Sequence, residues 1–181
     1  VSDVLTVTVS PVDDAPVVAN ALPDLSASED AADATIALGN LFNDIDDDNA
    51  SITKAATSSN ASLVTATVTG DALTLDFQAN QSGTATITVT GTSNGQTVSD
   101  AFAVTVSPVN DAPENLSLSG DEVIENKPAG TIVGNFSATD VDVNATLDFS
   151  LVDGNGSADN ARFILDANAT LKTANSFDFE T

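Results

Sequence analysis

The strongest constraint on this chain is that it repeats itself. Residues 1–16 read VSDVLTVTVSPVDDAP and residues 98–113 read VSDAFAVTVSPVNDAP, with twelve of sixteen positions identical at an offset of 97. Further echoes follow at nearly the same spacing. Glu29-Asp30 through Thr35-Ile36 aligns with Glu125-Asn126 through Thr131-Ile132, and Asp44-Ile-Asp46 with Asp140-Val-Asp142, both at an offset of 96. Asn49-Ala-Ser-Ile aligns with Asn144-Ala-Thr-Leu. A period of this length marks a tandem array of modules. The spacing divides the chain into the last strand and linker of a preceding repeat (1–19), a complete repeat (20–113) and a repeat truncated at its C-terminal end (114–181).

Within each period the hydrophobic pattern has period two. Leu5, Val7 and Val9 alternate with threonines, and Phe102, Val104 and Val106 repeat that pattern. Val64, Ala66 and Val68, then Leu73, Leu75 and Phe77, then Ala85, Ile87 and Val89 do the same. Such alternation in Val-, Ile- and Thr-rich runs predicts half-buried strands. Turn residues interrupt them at Thr69-Gly-Asp71, Asn80-Gln-Ser-Gly83 and Ser93-Asn-Gly95. No stretch carries a helical period. Modules of about 100 residues with roughly seven short strands predict immunoglobulin-like β-sandwiches.

Composition narrows the chemistry. Asp and Glu total 27 against four bases, Lys54, Lys127, Arg162 and Lys172, for a formal net charge of −23. Nucleic acid and anionic membrane surfaces are unsuitable partners, since phosphate contacts need Lys and Arg. No apolar run is long enough to insert this segment into a membrane. The chain has no His and no Cys. Histidine-based triads, thiol nucleophiles and metal sites with nitrogen or sulfur ligands are therefore excluded. Carboxylate oxygens remain, and these suit calcium.

The carboxylates concentrate at the repeat ends. Asp13-Asp14 and Asn110-Asp111 each precede Ala-Pro, where proline stiffens a short connector. Asp44, Asp46, Asp47 and Asp48 form one loop, and Asp140 and Asp142 occupy the matching loop of the next repeat. Crowded carboxylates repel, and a divalent cation with six to eight oxygen ligands reverses the sign. Turn chemistry is the bland alternative, because Asp and Asn cap nearby backbone. Recurrence of the pair beside acidic linkers favours calcium. An EF-hand does not fit, since the sixth and twelfth loop positions counted from Asp44 are Asn49 and Ala55.

The third unit carries the most specific motifs: Ile124-Glu-Asn-Lys-Pro-Ala-Gly-Thr-Ile-Val133, Ala138-Thr-Asp-Val-Asp142, Asn144-Ala-Thr-Leu-Asp-Phe-Ser-Leu151, Phe163-Ile-Leu-Asp166 and Phe177-Asp-Phe-Glu180. In that order they resemble the cadherin superfamily, and specifically the cadherin and cadherin-like repeats of large bacterial surface adhesins. The complete repeat resembles a more divergent member. It lacks a Leu-Asp-x-Glu equivalent and has Val89-Thr-Gly91 where the family often has an Asp. The resemblance implies Greek-key sandwiches of cadherin type, with calcium ligands drawn from both neighbours and the linker. At the joint between the two main repeats it implies Glu29, Asn110, Asp111, Asp140, Asp142 and the Asn144 carbonyl. Upstream it implies Asp13, Asp14, Asp44, Asp46 and the Asn49 carbonyl. Glu125, Asp178 and Glu180 would serve a downstream joint. Pro108 stands where the family linker begins with Asp, so fewer than three ions per joint are expected.

The function that follows is a calcium-rigidified extender of a secreted or bacterial cell-surface adhesin, not an enzyme. Its partners are neighbouring repeats of the same chain, with self-association through exposed strand edges. The alternative is a calcium-dependent polysaccharide-binding module. Sugar platforms usually use Trp or Tyr, and the chain has neither.

Overall fold

The computed structural model describes residues 3–180 and divides into two compact units, Val1–Val109 and Asn110–Thr181. Each is built from strands. Among the described residues the only helical pieces are two short 3-10 segments, Asn49–Ser51 and Ser157–Arg162.

The first unit holds β1 (Val17–Val18), β2 (Leu25–Ser28), β3 (Ala34–Ala37), β4 (Phe42–Asn43), β5 (Thr53–Ser58), β6 (Val64–Thr69), β7 (Ala72–Phe77), β8 (Gly83–Ser93) and β9 (Gln96–Ser107). One sheet runs β2-β9-β8-β5, a second runs β3-β7-β6, and β1 pairs with β4. All these pairings are antiparallel except that of β2 with β9, where Leu25 lies beside Val104. The alternating residues meet between the sheets as period two demands. Leu73, Leu75 and Phe77 of β7 join Ile87 and Val89 of β8 and Phe102, Val104 and Val106 of β9 in one core with Leu38, Leu41, Phe42 and Val64. The core contains no aromatic larger than Phe, so close backbone approach helps to fill it. The ring of Phe42 lies on Gly91, where an added Cβ would fall 2.5 Å from the ring. A side chain at position 91 would therefore collide with the ring.

Each predicted turn joins two strands. Asn94 (φ 44°) and Gly95 (φ 84°) close the β8–β9 hairpin between the paired residues Ser93 and Gln96. Both left-handed values suit an Asn-Gly loop, whose twist matches that of the flanking strands.

Residues 4–9 depart from expectation. They carry nearly the sequence of the β9 core run but form no ladder, and Val7 is 75% exposed where Val104 is fully buried. An alternating sequence becomes a strand only against a partner, and no described residue pairs with this segment.

The second unit is a sheet ordered β10-β11-β13-β12, from β10 (Glu114–Leu118), β11 (Ile132–Thr139), β12 (Phe163–Leu165) and β13 (Thr170–Thr173). Its rings pack in pairs, Phe136 on Phe149 and Phe163 on Phe177, with centroids 6.0 and 5.8 Å apart.

Candidate metal centres

The Asp44 loop follows β4 directly, and its backbone folds around its own side chains. Asp44 Oδ1 accepts the N–H groups of Asp46 (3.0 Å) and Asp47 (3.3 Å), an Asx-type turn. Asn49 Oδ1 accepts the Asp44 N–H at 2.9 Å, so this residue serves the loop through its side chain. Its carbonyl, the atom expected to bind metal, receives the Ile52 N–H at 3.4 Å. Asp48 caps the 3-10 turn through the Ala50 N–H. Turn chemistry therefore does operate here, but it engages only one oxygen of Asp44. The residue is 6% exposed, and its Oδ2 has no hydrogen-bond partner. A buried, unpaired carboxylate oxygen costs several kcal/mol unless a proton or cation meets it.

The linker is tied to this loop. The Asp14 N–H donates to Asp46 Oδ2 at 2.8 Å. The second unit reproduces the relay. The Asp111 N–H donates to Asp142 Oδ2 at 2.8 Å, and the Asp142 N–H to Asp140 Oδ1 at 2.9 Å. Asn144 adopts φ 66° one turn later, and the Asn110 amide donates to the Asp111 carbonyl at 2.8 Å.

Glu29 is 5% exposed and accepts the Val109 N–H at 2.7 Å, within the first unit. Asp30 after it and Asn126 after Glu125 share φ 59°. That left-handed backbone explains the recurrence of Asp or Asn after the glutamate. In the second unit Glu125, Asp178 and Glu180 each offer an oxygen within 4.8 Å of the others, close enough for one ion. The Phe179 N–H donates to Glu125 Oε2 at 2.9 Å and holds this group in place.

Long-range contacts add residues that sequence reasoning missed. Asn94 Nδ2 donates to Asp13 Oδ1 (2.8 Å) and Asp47 Oδ2 (2.7 Å), and Gln96 Nε2 to Asp13 Oδ2 (2.8 Å). Ser93 Oγ donates to Asp47 Oδ2 at 2.9 Å. Hydrogen bonds from Asn94, then Gln96, hold the Asp13 carboxyl below its ordinary pKa. The signal for these contacts was weak, because Asn94 lies 81 residues from Asp13 and reads as a turn residue.

The donor set fits calcium. It is all oxygen, mostly carboxylate, and includes the unpaired Asp44 Oδ2. Three of the four bases are engaged elsewhere: Lys54 pairs with Asp71, Arg162 with Asp159 and Lys172 with Asp166, none of them a candidate ligand.

No family model matches the chain, and no curated protein matches it in sequence. Solved structures do match. Human Protocadherin-24 EC1-2 (form II) is 19% identical with a TM-score of 0.57, the match covering 90% of this chain and 81% of that one. The Protocadherin Gamma B7 extracellular cadherin domains 1-4 are 22% identical with a TM-score of 0.56, covering 92% of this chain and 42% of that one. At such identities the likeness concerns architecture. The fold is all-β, of the cadherin immunoglobulin-like type.

Proposed function

We propose that this chain is a spacer of an extracellular, adhesin-type protein whose linkers are stiffened by calcium. The repeated relay carries the proposal. In each unit a linker N–H, two residues before proline, fixes the second Asp of an Asp-x-Asp pair, which in turn fixes the first. Carboxylates are thereby aimed from chain-fixed positions, and at Asp44 one oxygen is buried with no protein donor to meet it. When bound, a calcium ion supplies the charge that offsets the repulsion among these groups.

The candidate ligands are Asp13, Asp14, Asp44, Asp46 and the Asn49 carbonyl at the upstream linker, and Glu125, Asp178 and Glu180 at the end of the second unit. At the middle linker, Glu29 holds Val109, and Asp142 holds Asp111. By the motif resemblance alone, the ligands of that joint would be Glu29, Asn110, Asp111, Asp140, Asp142 and the Asn144 carbonyl. Fixing a short linker at both ends turns a flexible string of modules into a rod, suited to holding a binding surface away from a cell. The extracellular cadherin domains that share the fold support this setting, and the bacterial origin rests on the motif resemblance alone.

Among the described residues no group of exposed rings forms a sugar platform. The described Phe rings are buried or paired with one another except Phe179, which is 89% exposed. The test is thermal unfolding with calcium and with a chelator, joined to small-angle scattering. A higher melting temperature and a longer, stiffer particle with calcium are expected. Identical curves in both conditions would end the proposal.

A further inference from the structure

We infer that the β8–β9 hairpin turn is a latch that docks the upstream linker onto the first unit by hydrogen bonds from neutral side chains, independently of any ion. Three side chains on the turn face the linker and loop carboxylates. The single Asn94 Nδ2 has two hydrogens, and its two acceptors, Asp13 Oδ1 at 2.8 Å and Asp47 Oδ2 at 2.7 Å, belong to different segments. Ser93, 4% exposed, gives Asp47 Oδ2 a second donor. Gln96 Nε2 reaches both Asp13 Oδ2 and, at 3.1 Å, the Asp13 carbonyl. A bonded amide thus bridges two carboxylates that would otherwise repel, the task a cation performs in an acidic cluster.

The rigidity of the platform follows from its local fold. Asn94 and Gly95 form a two-residue hairpin loop between strands paired over eleven registered positions, from Gly83 with Val106 to Ser93 with Gln96. The backbone that carries the donors therefore has little freedom to lose when they engage the linker. The latch is specific to this linker. The position matching Asp13 in the middle linker is Asn110, whose amide turns to its neighbour's carbonyl instead.

The inference stands apart from the ion proposal, because every donor is a group of the chain itself. Its test is amide hydrogen exchange of the whole chain in chelator, read at the Asp14 N–H, which bonds to Asp46 Oδ2 only while the linker is docked. In the unaltered chain this amide should exchange on the order of tenfold slower than in the Asn94→Gly, Gln96→Ala double variant. Glycine keeps the left-handed turn, and unchanged exchange in β8 and β9 shows the fold to be intact. An Asp14 amide that exchanges in the unaltered chain at the rate of an unstructured peptide overturns the latch, whether or not the variant folds. So does equal protection in the two chains. Adding calcium to the variant separates the two ideas: renewed protection supports the ion site, whereas its failure sinks the ion site and leaves the latch standing.

Discussion

Asp44→Asn discriminates between a turn residue and a metal ligand, because the two roles predict opposite signs. The asparagine keeps an Oδ1 for the N–H groups of Asp46 and Asp47, now 3.0 and 3.3 Å away, so the Asx turn survives. At the Oδ2 position it places a neutral amide where a buried carboxylate oxygen has no partner. In chelator the variant should therefore lie between unchanged and about 2 kcal/mol more stable, from relief of that buried charge. With calcium the order reverses. Extracellular modules bind calcium at roughly 10⁻⁴–10⁻³ M. At a concentration 100 times the tighter of these, about 10 mM, linkage stabilises the unaltered chain by about 2.7 kcal/mol. For a unit of this size that is roughly 10–20 °C in Tm, and the variant should lose most of it. The chain has no Trp or Tyr, so fluorescence is uninformative. Scanning calorimetry is the assay, with amide exchange in β8 and β9 assigning the transition to the first unit. A variant less stable than its parent by more than about 1 kcal/mol in chelator would refute the buried-charge argument. An undiminished calcium increment would refute the ligand role.

Val104→Ala and Val7→Ala test burial against sequence, since both sit in the same Val-Thr-Val run. The first should cost about 2 kcal/mol and the second less than about 0.5, by thermal melting. Gly91→Ala drives a Cβ into the Phe42 ring and should cost about 1–3 kcal/mol in the same assay. Asp166 is held down to a pKa of about 2, first by its hydrogen bond from Lys172 and then by the Thr170 N–H. A depressed carboxyl pKa stabilises the fold above the unfolded value near 3.9, and that contribution disappears as pH falls through about 2. NMR titration should show the Asn168 and Thr170 amides losing protection in that window, and Lys172→Ala should move the midpoint upward. Finally, the Asn94→Gly, Gln96→Ala variant should bind calcium more tightly at the upstream linker, by up to about tenfold in calorimetric titration, because its carboxylates no longer compete for amides.

What was legible in the sequence was whatever depends on local order. Alternation in residues 73–77 and 84–90 announced β7 and β8, because a pleated strand between two layers must alternate. The repeat aligned Asp44 with Asp140, and their Asx turns coincide because such a turn is closed within three residues. Residues 4–9 failed for the converse reason. Their sequence is that of β9, but a strand is a property of a pair. The roles of Ser93, Asn94, Gln96 and Asp47 were invisible because they depend on where a hairpin tip meets a linker some 80 residues earlier, a distance fixed by sheet register rather than by spacing. The side-chain bond of Asn49 to the Asp44 N–H was not legible either, because it depends on how the loop closes.

The two linkers should consequently answer to calcium unequally, although their sequences differ little. Both are positioned by the same backbone relay, so neither must be ordered from scratch when an ion binds, and differences in affinity come from the oxygens on offer. Upstream, Asp13 adds a carboxylate that the middle linker replaces with Asn110, which by charge count favours the upstream ion. Yet both Asp13 oxygens and Asp47 Oδ2 already accept neutral donors. An ion at those atoms must displace hydrogen bonds to ionised acceptors. Charge and competition thus oppose one another upstream, whereas among the described residues no comparable amide fork contends for Asp142. The array is therefore expected to lose stiffness first at the middle linker as calcium falls, while the upstream linker stays docked on its latch.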